Sequence, residues 1–449
     1  MSRWTKIRPR TGRHVHRSNL ARLEWGSAGR HRRRFRRGLI AGGVIVLLAA
    51  AAAAWFLFFR RNGGSPAPQE SPQPACASGR LPGHLGTIAW IAGGKLQVRN
   101  LDTCSQTTLV SASAEAPVRF SPDGAWIAFG KGEVVASRGG AVSDWRMSSW
   151  RWARSGHELV GVTIPDKPAR SGRVFVGEPG GQKPVAIVGG ASGAAIDPRG
   201  RYVAVGIKNK VELFTVEGGG GKVLFSGPSK SAVKIQGWSP DGRWVVFWDL
   251  AKGRTSGLLD VAPITGAGYH NVFDPVPAFD DLVTWCGDTI VISGGGGRQM
   301  SEGQQLLVSS APDWRTHNLA GDFTKSWLWP NCSPNRKWIA VTVTPNHTER
   351  PPGEGHRGIE LISIDGKTRQ RLALGAGVFE VPRWSADGRT LLIVQRRQAP
   401  KSPGNLWLVQ INPKTGKATK IVKNVATLGT AAVPLGHTEW TAISDWNRG

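Results

Sequence analysis

Only four cysteines occur in the 449 residues, too few for a scaffold built on disulfides. Acid is scarce as well: 31 Asp and Glu face 58 Lys and Arg, a formal net charge of +27. No Gly-x-Ser-x-Gly elbow occurs and no chain is left over for a hydrolase domain, which argues against a serine hydrolase. The Gly-rich stretch Gly218–Lys222 is flanked by Val216 and Val223 in a way that breaks a phosphate-loop pattern, so it reads as a hairpin turn. His84, His157, His270, His317, His347, His356 and His437 show no metal-ligand spacing. The pair Asp280-Asp281 reads as a solvated loop rather than as an acid pair. No catalytic residue, metal site or cofactor is expected.

What the chain does have is glycine and proline, 59 and 29 residues, too many for a helical bundle and suited to short strands joined by turns. Apolar residues make up 40% and charged residues 20%, which excludes a wholly disordered chain.

Charge is unevenly spread. Residues 1–38 carry 13 Lys or Arg and a single acid, Glu24. Next comes Leu39–Phe59, 21 residues without a charge, about 31 Å of helix at ~1.5 Å per residue and enough to cross a ~30 Å hydrocarbon core. Trp55 and the Phe56, Phe58 and Phe59 cluster suit the far interface, and the basic flank suits the cytoplasm. A cleaved signal peptide would have a shorter apolar core and a small-residue cleavage site, whereas this run ends Trp-Phe-Leu-Phe-Phe. The sequence therefore predicts a cytoplasmic tail (1–38), a transmembrane signal-anchor (39–59), a Pro/Gly-rich linker (60–84) and an extracytoplasmic domain (85–449). The basic tail is expected to contact anionic lipid; it holds no nucleic-acid recognition fold, and no nucleic-acid partner is expected.

The outer domain is repetitive. Phe120-Ser-Pro-Asp-Gly124 precedes Trp126-Ile-Ala-Phe129, and the unit recurs at Trp238–Gly242 and Trp384–Gly388. Looser copies lie at Trp152–Gly156, Ile196–Gly200, Cys332–Arg336 and around Asp288. Proline pre-sets the first turn dihedral, Asp tolerates the second, and Gly accepts the way out. Each turn is followed by further apolar strands, four per unit, which is the arithmetic of a propeller blade. The segment before the first turn lacks an innermost strand, and the C-terminus supplies one. The expected fold is an all-β propeller of seven to eight four-stranded blades, closed by pairing of the C-terminal strand with the first.

These Ser-Pro-Asp-Gly units resemble the WD-like propeller repeats of TolB-type bacterial envelope proteins, over residues 85–449. The resemblance implies a propeller used for protein contacts outside the cytoplasmic membrane. The retained anchor and the larger number of blades set this chain apart from the type protein, so a Tol-complex role is not carried over.

Four cysteines permit three pairings. Cys286 and Cys332 each precede the turn of neighbouring units, so a bridge there would join two blades; Cys76 and Cys104 would then staple the linker to the first outer strand. Buried free thiols are the alternative.

Segments joining second to third strands should emerge on one face. Those expected at 162–172, 206–210, 249–257, 294–304, 344–358 and 396–404 hold Lys167, Arg170, Lys208, Lys210, Lys252, Arg254, Arg298, Arg350, Arg357, Arg396, Arg397 and Lys401. Asp166, Asp249, Glu302, Glu349 and Glu354 oppose these twelve bases, a net +7 over 60 residues where the outer portion averages about +2. The expectation is a non-catalytic platform for an envelope protein or an anionic cell-wall polymer. The competing expectation is an envelope enzyme or sensor, carbohydrate-active or hydrolytic, with its site at the channel mouth.

Overall fold

A computed structural model describes residues 84–164, 172–181, 184–251, 254–296, 302–322, 324–345, 358–396, 404–428 and 442–448. The expected tail, apolar run and all but the last residue of the linker lie outside them, as does Cys76. Among the described residues no helix is long and apolar enough to cross a membrane.

Eight four-stranded antiparallel sheets make up the described chain. Blade 1 takes Thr87–Ala92, Lys95–Asn100 and Gln106–Val110 as its second to fourth strands. Its first strand is Ser444–Asn447, paired with Thr87–Trp90 from the other end of the chain. Blades 2 to 8 follow in order over residues 118–144, 147–189, 191–226, 231–277, 283–320, 325–371 and 378–427. The unit around Gly124, short enough in sequence to leave seven blades open, keeps all four of its strands, of two to four residues each.

Both faces of each blade are covered, which explains the unbroken apolar runs. In blade 5, Val245 and Phe247 point to blade 4 while Val246 and Trp248 point to blade 6, the two-residue period of a strand. Eight apolar clusters lie between successive blades. One of them joins blade 8 to blade 1 through Leu392, Leu408, Ile88 and Trp446. Each fully buried large side chain, such as Trp384 or Phe247, contributes about 1.5–3 kcal/mol.

The turns between first and second strands are held by their own side chains. In blade 5 the Ser239 hydroxyl donates to Asp241 (2.6 Å) and accepts from the Trp244 amide (3.0 Å). Asp241 also accepts from the Arg243 amide, at 3.0 Å. The same lattice recurs at Ser121/Asp123, Ser333/Asn335 and Ser385/Asp387. In blade 4, Asp197 takes the place of the serine, accepting from the Tyr202 amide at 2.8 Å. Gly242 closes its turn at φ 71°, a conformation that favours glycine. In blade 6 the corresponding residue is Gly287 (φ 64°), one residue before the expected Asp288; in blade 7 it is Arg336 (φ 58°).

Candidate functional site

Two regions of this fold gather charge. The first is the end of the propeller opposite the Ser-x-Asp turns. All six basic segments fall where second strands pass to third strands, bounded for instance by Ile207 and Lys210, Ala251 and Ser256, and Arg396 and Gly404. Lys208, Lys210 and Arg254 are at the surface there. Arg396 ends the second strand of blade 8. Lys167, Arg170, Lys252, Arg298, Arg350, Arg357, Arg397 and Lys401 lie outside the described residues. One correction concerns Asp249: the second strand of blade 5 runs on to Ala251, and Asp249 is buried within it rather than exposed on a loop.

The second region is the axis, for which the sequence offers no candidate. The first strands stand side by side around it. At the residue before the last apolar residue of each first strand, blades 8, 1, 2 and 3 present Arg383, Asp445, Arg119 and Arg151. Blades 4 and 5 present Ala195 and Gly237 at that position, and the space they leave is entered by Arg151. Its guanidinium donates to the carbonyls of Gln236 and Ile235 and pairs with Asp280 at 2.5 Å. Lys234 reaches the other oxygen of Asp280, at 3.1 Å. Burial alone would raise the Asp280 carboxyl, but the Arg151 and Lys234 charges outweigh it and hold the carboxyl below the ordinary range. Asp280-Asp281 begins a short 3-10 turn (Asp280–Leu282); the Asp280 side chain is half exposed, and its carboxylate is met by two cations.

In the first strand of blade 8, Arg383 donates to the Ser444 carbonyl (2.8 Å) and faces Asp445 at 3.4 Å. Asp445 in turn accepts from the Phe120 amide at 2.8 Å, linking blades 8, 1 and 2. Burial draws the Arg383 guanidinium down to about 10; Asp445 opposes the shift, and Arg119 and Arg448 push the same way as burial. Arg448, whose guanidinium sits 6.0 Å from the Trp446 ring, is also lowered by burial, with Asp445 opposing.

The backbone is bent to make this belt. The register shifts between Glu380 and Arg383, with Val381 at φ 52°, and between Leu328 and Asn331, with Trp329 at φ 53°. Left-handed backbone at a side chain such as valine costs about 1–3 kcal/mol, and bulges of this kind re-aim side chains. The signal is visible in retrospect as Trp329-Pro-Asn331 and Val381-Pro-Arg383, the same pattern at the same place in adjacent blades.

The expected bridge between blades is present: Cys286 and Cys332 are disulfide-bonded, their Cα atoms 5.3 Å apart. Cys104 is in a disulfide as well. Among the described residues no group of three or more His, Cys, Asp or Glu side chains is placed to hold a metal.

No family model and no curated protein matches the chain. Solved structures resemble it in fold. A prolyl endopeptidase aligns over 82% of this chain and 51% of its own, with 12% identity and a TM-score of 0.46, so this chain spans about half the length of that protein. A putative TolB from Agrobacterium tumefaciens aligns over 81% and 99% with 13% identity and a TM-score of 0.36. An oligogalacturonate lyase from Vibrio parahaemolyticus aligns over 57% and 87% with 13% identity and a TM-score of 0.40. TolB proteins are thus among the structural neighbours of this eight-bladed propeller.

Proposed function

We propose that the chain is a membrane-tethered, extracytoplasmic propeller, closed by the pairing of its two chain ends, that serves as a non-catalytic docking platform for an anionic partner such as a cell-wall polymer or an acidic protein surface. The observation that supports this reading is topological. Every sheet meanders from first to fourth strand in the same order, so the segments bearing the twelve bases all leave at one end. The chain enters the propeller at Thr87, at the start of a second strand, and therefore at the turn end. The basic end lies away from that point of entry. Summed over such a surface, single exposed charges worth little in isolation create a field that draws and holds an anion. An enzyme or sensor with its site at the channel mouth would call for carboxylates free to act, whereas Asp280 and Asp445 are engaged with Arg151, Lys234 and Arg383.

Heparin chromatography of the full-length protein in detergent tests the reading. Arg396→Glu, Arg397→Glu, Lys252→Glu and Arg254→Glu combined should elute at markedly lower salt than the parent. Unchanged elution of a folded variant would overturn the proposal.

A further inference from the structure

A further concentration of charge lies at the turn end, on blades 7 and 8. The turns joining first to second and third to fourth strands there are 333–337, 364–368, 385–389 and 412–417. They carry Arg336, Lys337, Lys367, Arg389, Lys414 and Lys417, all exposed, against Asp365 and Asp387. The ten corresponding turns of blades 2 to 6 hold six bases and eight acids among the described residues, so the excess is local to this sector. Its two acids are taken up by their own turns. Asp365 accepts from the Ser363 hydroxyl and the Lys367 amide, and Asp387 from the Ser385 hydroxyl and the Arg389 amide. Lys367 lies 3.8 Å from Asp365; the other five bases make no ion pair among the described residues. The turns adjoin one another. The Trp338 indole donates to the Pro413 carbonyl at 3.1 Å, tying a turn of blade 8 to one of blade 7. A Cβ on Gly388 would lie 3.4 Å from Pro334, and one on Gly416 3.4 Å from Gln370. Lys420 and Lys423, exposed on the outer strand of blade 8, continue the charge along its flank.

The sector also borders the place where the chain enters the propeller. Blade 1 packs on blade 8, and the turn between its third and fourth strands holds the incoming chain, Asp102 accepting from the Leu85 amide at 2.7 Å. We propose that this sector of blades 7 and 8 rests on a surface of anionic lipid headgroups, the outer face of the membrane that carries the expected anchor. The proposal rests on the tethered reading above: a chain anchored ahead of Thr87 brings the turn end to the membrane and leaves the basic loops facing away. Each Lys or Arg close to such a surface adds to the attraction, which reaches about one Debye length, ~10 Å at 0.1 M salt. Bases spread over adjoining turns at one end suit a flat charged layer better than a compact anion, and their confinement to two blades tilts the propeller toward that side.

The test is lysine acetylation of the full-length protein by a membrane-impermeant reagent, read site by site by mass spectrometry. The protein is reconstituted in vesicles of phosphatidylcholine alone or with phosphatidylglycerol added. Labelling of Lys414 and Lys417, measured against Lys208 and Lys210 in the same molecules, should slow by about threefold or more when phosphatidylglycerol is present, and high salt should restore it. Lys414→Glu with Lys417→Glu should abolish the lipid-dependent protection of Lys337 and Lys367 without moving the melting temperature. Arg389→Glu alone should reduce it, a second variant should the first fail to fold. Flotation with phosphatidylcholine vesicles reports the anchor separately. A chain that does not float with them overturns the tethered reading, and the labelling comparison then decides the lipid contact by itself on added phosphatidylglycerol vesicles. Equal relative labelling with and without phosphatidylglycerol overturns the proposal. So does protection of Lys414 and Lys417 by heparin but not by the anionic vesicles, which assigns the sector to a soluble polymer.

Discussion

The two ends of the propeller are built on opposite principles. At the turn end, each connection from first to second strand is two to six residues long, and side chains within it dictate its conformation. Successive turns also rest on one another. A Cβ on Gly242 would lie 3.4 Å from Pro198 of the previous turn, and one on Gly388 would lie 3.4 Å from Pro334. His157 pairs with Asp123 across two turns at 2.7 Å, and the Cys286–Cys332 bridge joins two more. At the loop end, connections vary from the two residues Gly93-Gly94 to the twelve between Pro345 and Gly358. Uniformity at one end fixes the angle between blades and leaves the other end free to vary its charge. On the function proposed above, the first end would carry framework and the second recognition.

The disulfide offers the strongest way to break that contrast. Replacing Cys286 and Cys332 by serine opens a loop spanning 46 residues, for which chain entropy gives about 4 kcal/mol of lost stability. Denaturant unfolding with and without the substitutions checks this, and a loss below about 1 kcal/mol would mean that the packed turns hold blades 6 and 7 without it.

Next in size is a group that belongs to neither end. Asp260 is fully buried in the third strand of blade 5; it accepts from Asn271 at 2.9 Å, and its other oxygen has no partner. Burial pushes its carboxyl up to about 6; the Asn271 hydrogen bond opposes this, and Asp249 and Asp274 add to it. The folded state therefore holds the proton more tightly than the unfolded chain does, whose aspartates titrate near pH 4. The stability this brings is full below about pH 4 and is lost as pH rises through 6, a fall of about 3 kcal/mol across that window. Asp260→Asn should flatten the profile between pH 4 and 7 and raise the melting temperature at pH 8. A parent protein whose stability does not fall across that window would show the carboxyl to be hydrated.

Much of this is legible in the sequence, for a physical reason. Ser239, Asp241 and Gly242 make their bonds to one another and to neighbours within five residues, so the turn announces itself wherever the pattern recurs. Pairing of the chain ends follows from a missing strand, and the Cys286–Cys332 bridge from equivalent places in adjacent units. The axis stays hidden because its residues come from strands far apart in the chain. Arg383 sits beyond a bulge and a proline that shift its register, and Arg151 finds Asp280 across 129 positions. Asp249 reads as a loop residue because nothing nearby in the chain marks where the second strand of blade 5 ends. Even within the turn the role of Ser239 escapes a sequence reading: dihedral preferences account for proline and glycine, but the serine acts through a hydrogen bond that only the folded lattice displays.

That serine carries the smallest effect, and it bears on the contrast most directly. Ser239 is 3% exposed, and its hydroxyl accepts the Trp244 amide while donating to Asp241. Ser239→Ala leaves that amide without its partner and the carboxylate with one donor fewer, the Arg243 amide remaining, a loss of about 1–2 kcal/mol. Lys208 is at the surface in the connection between the second and third strands of blade 4, and Lys208→Ala should stay within about 0.5 kcal/mol of the parent. Measured side by side by urea unfolding, the two substitutions weigh one end against the other in a single blade pair. If the lysine cost as much as the serine, the loop end would be part of the framework, and its charge would be a consequence of folding rather than a surface kept for a partner.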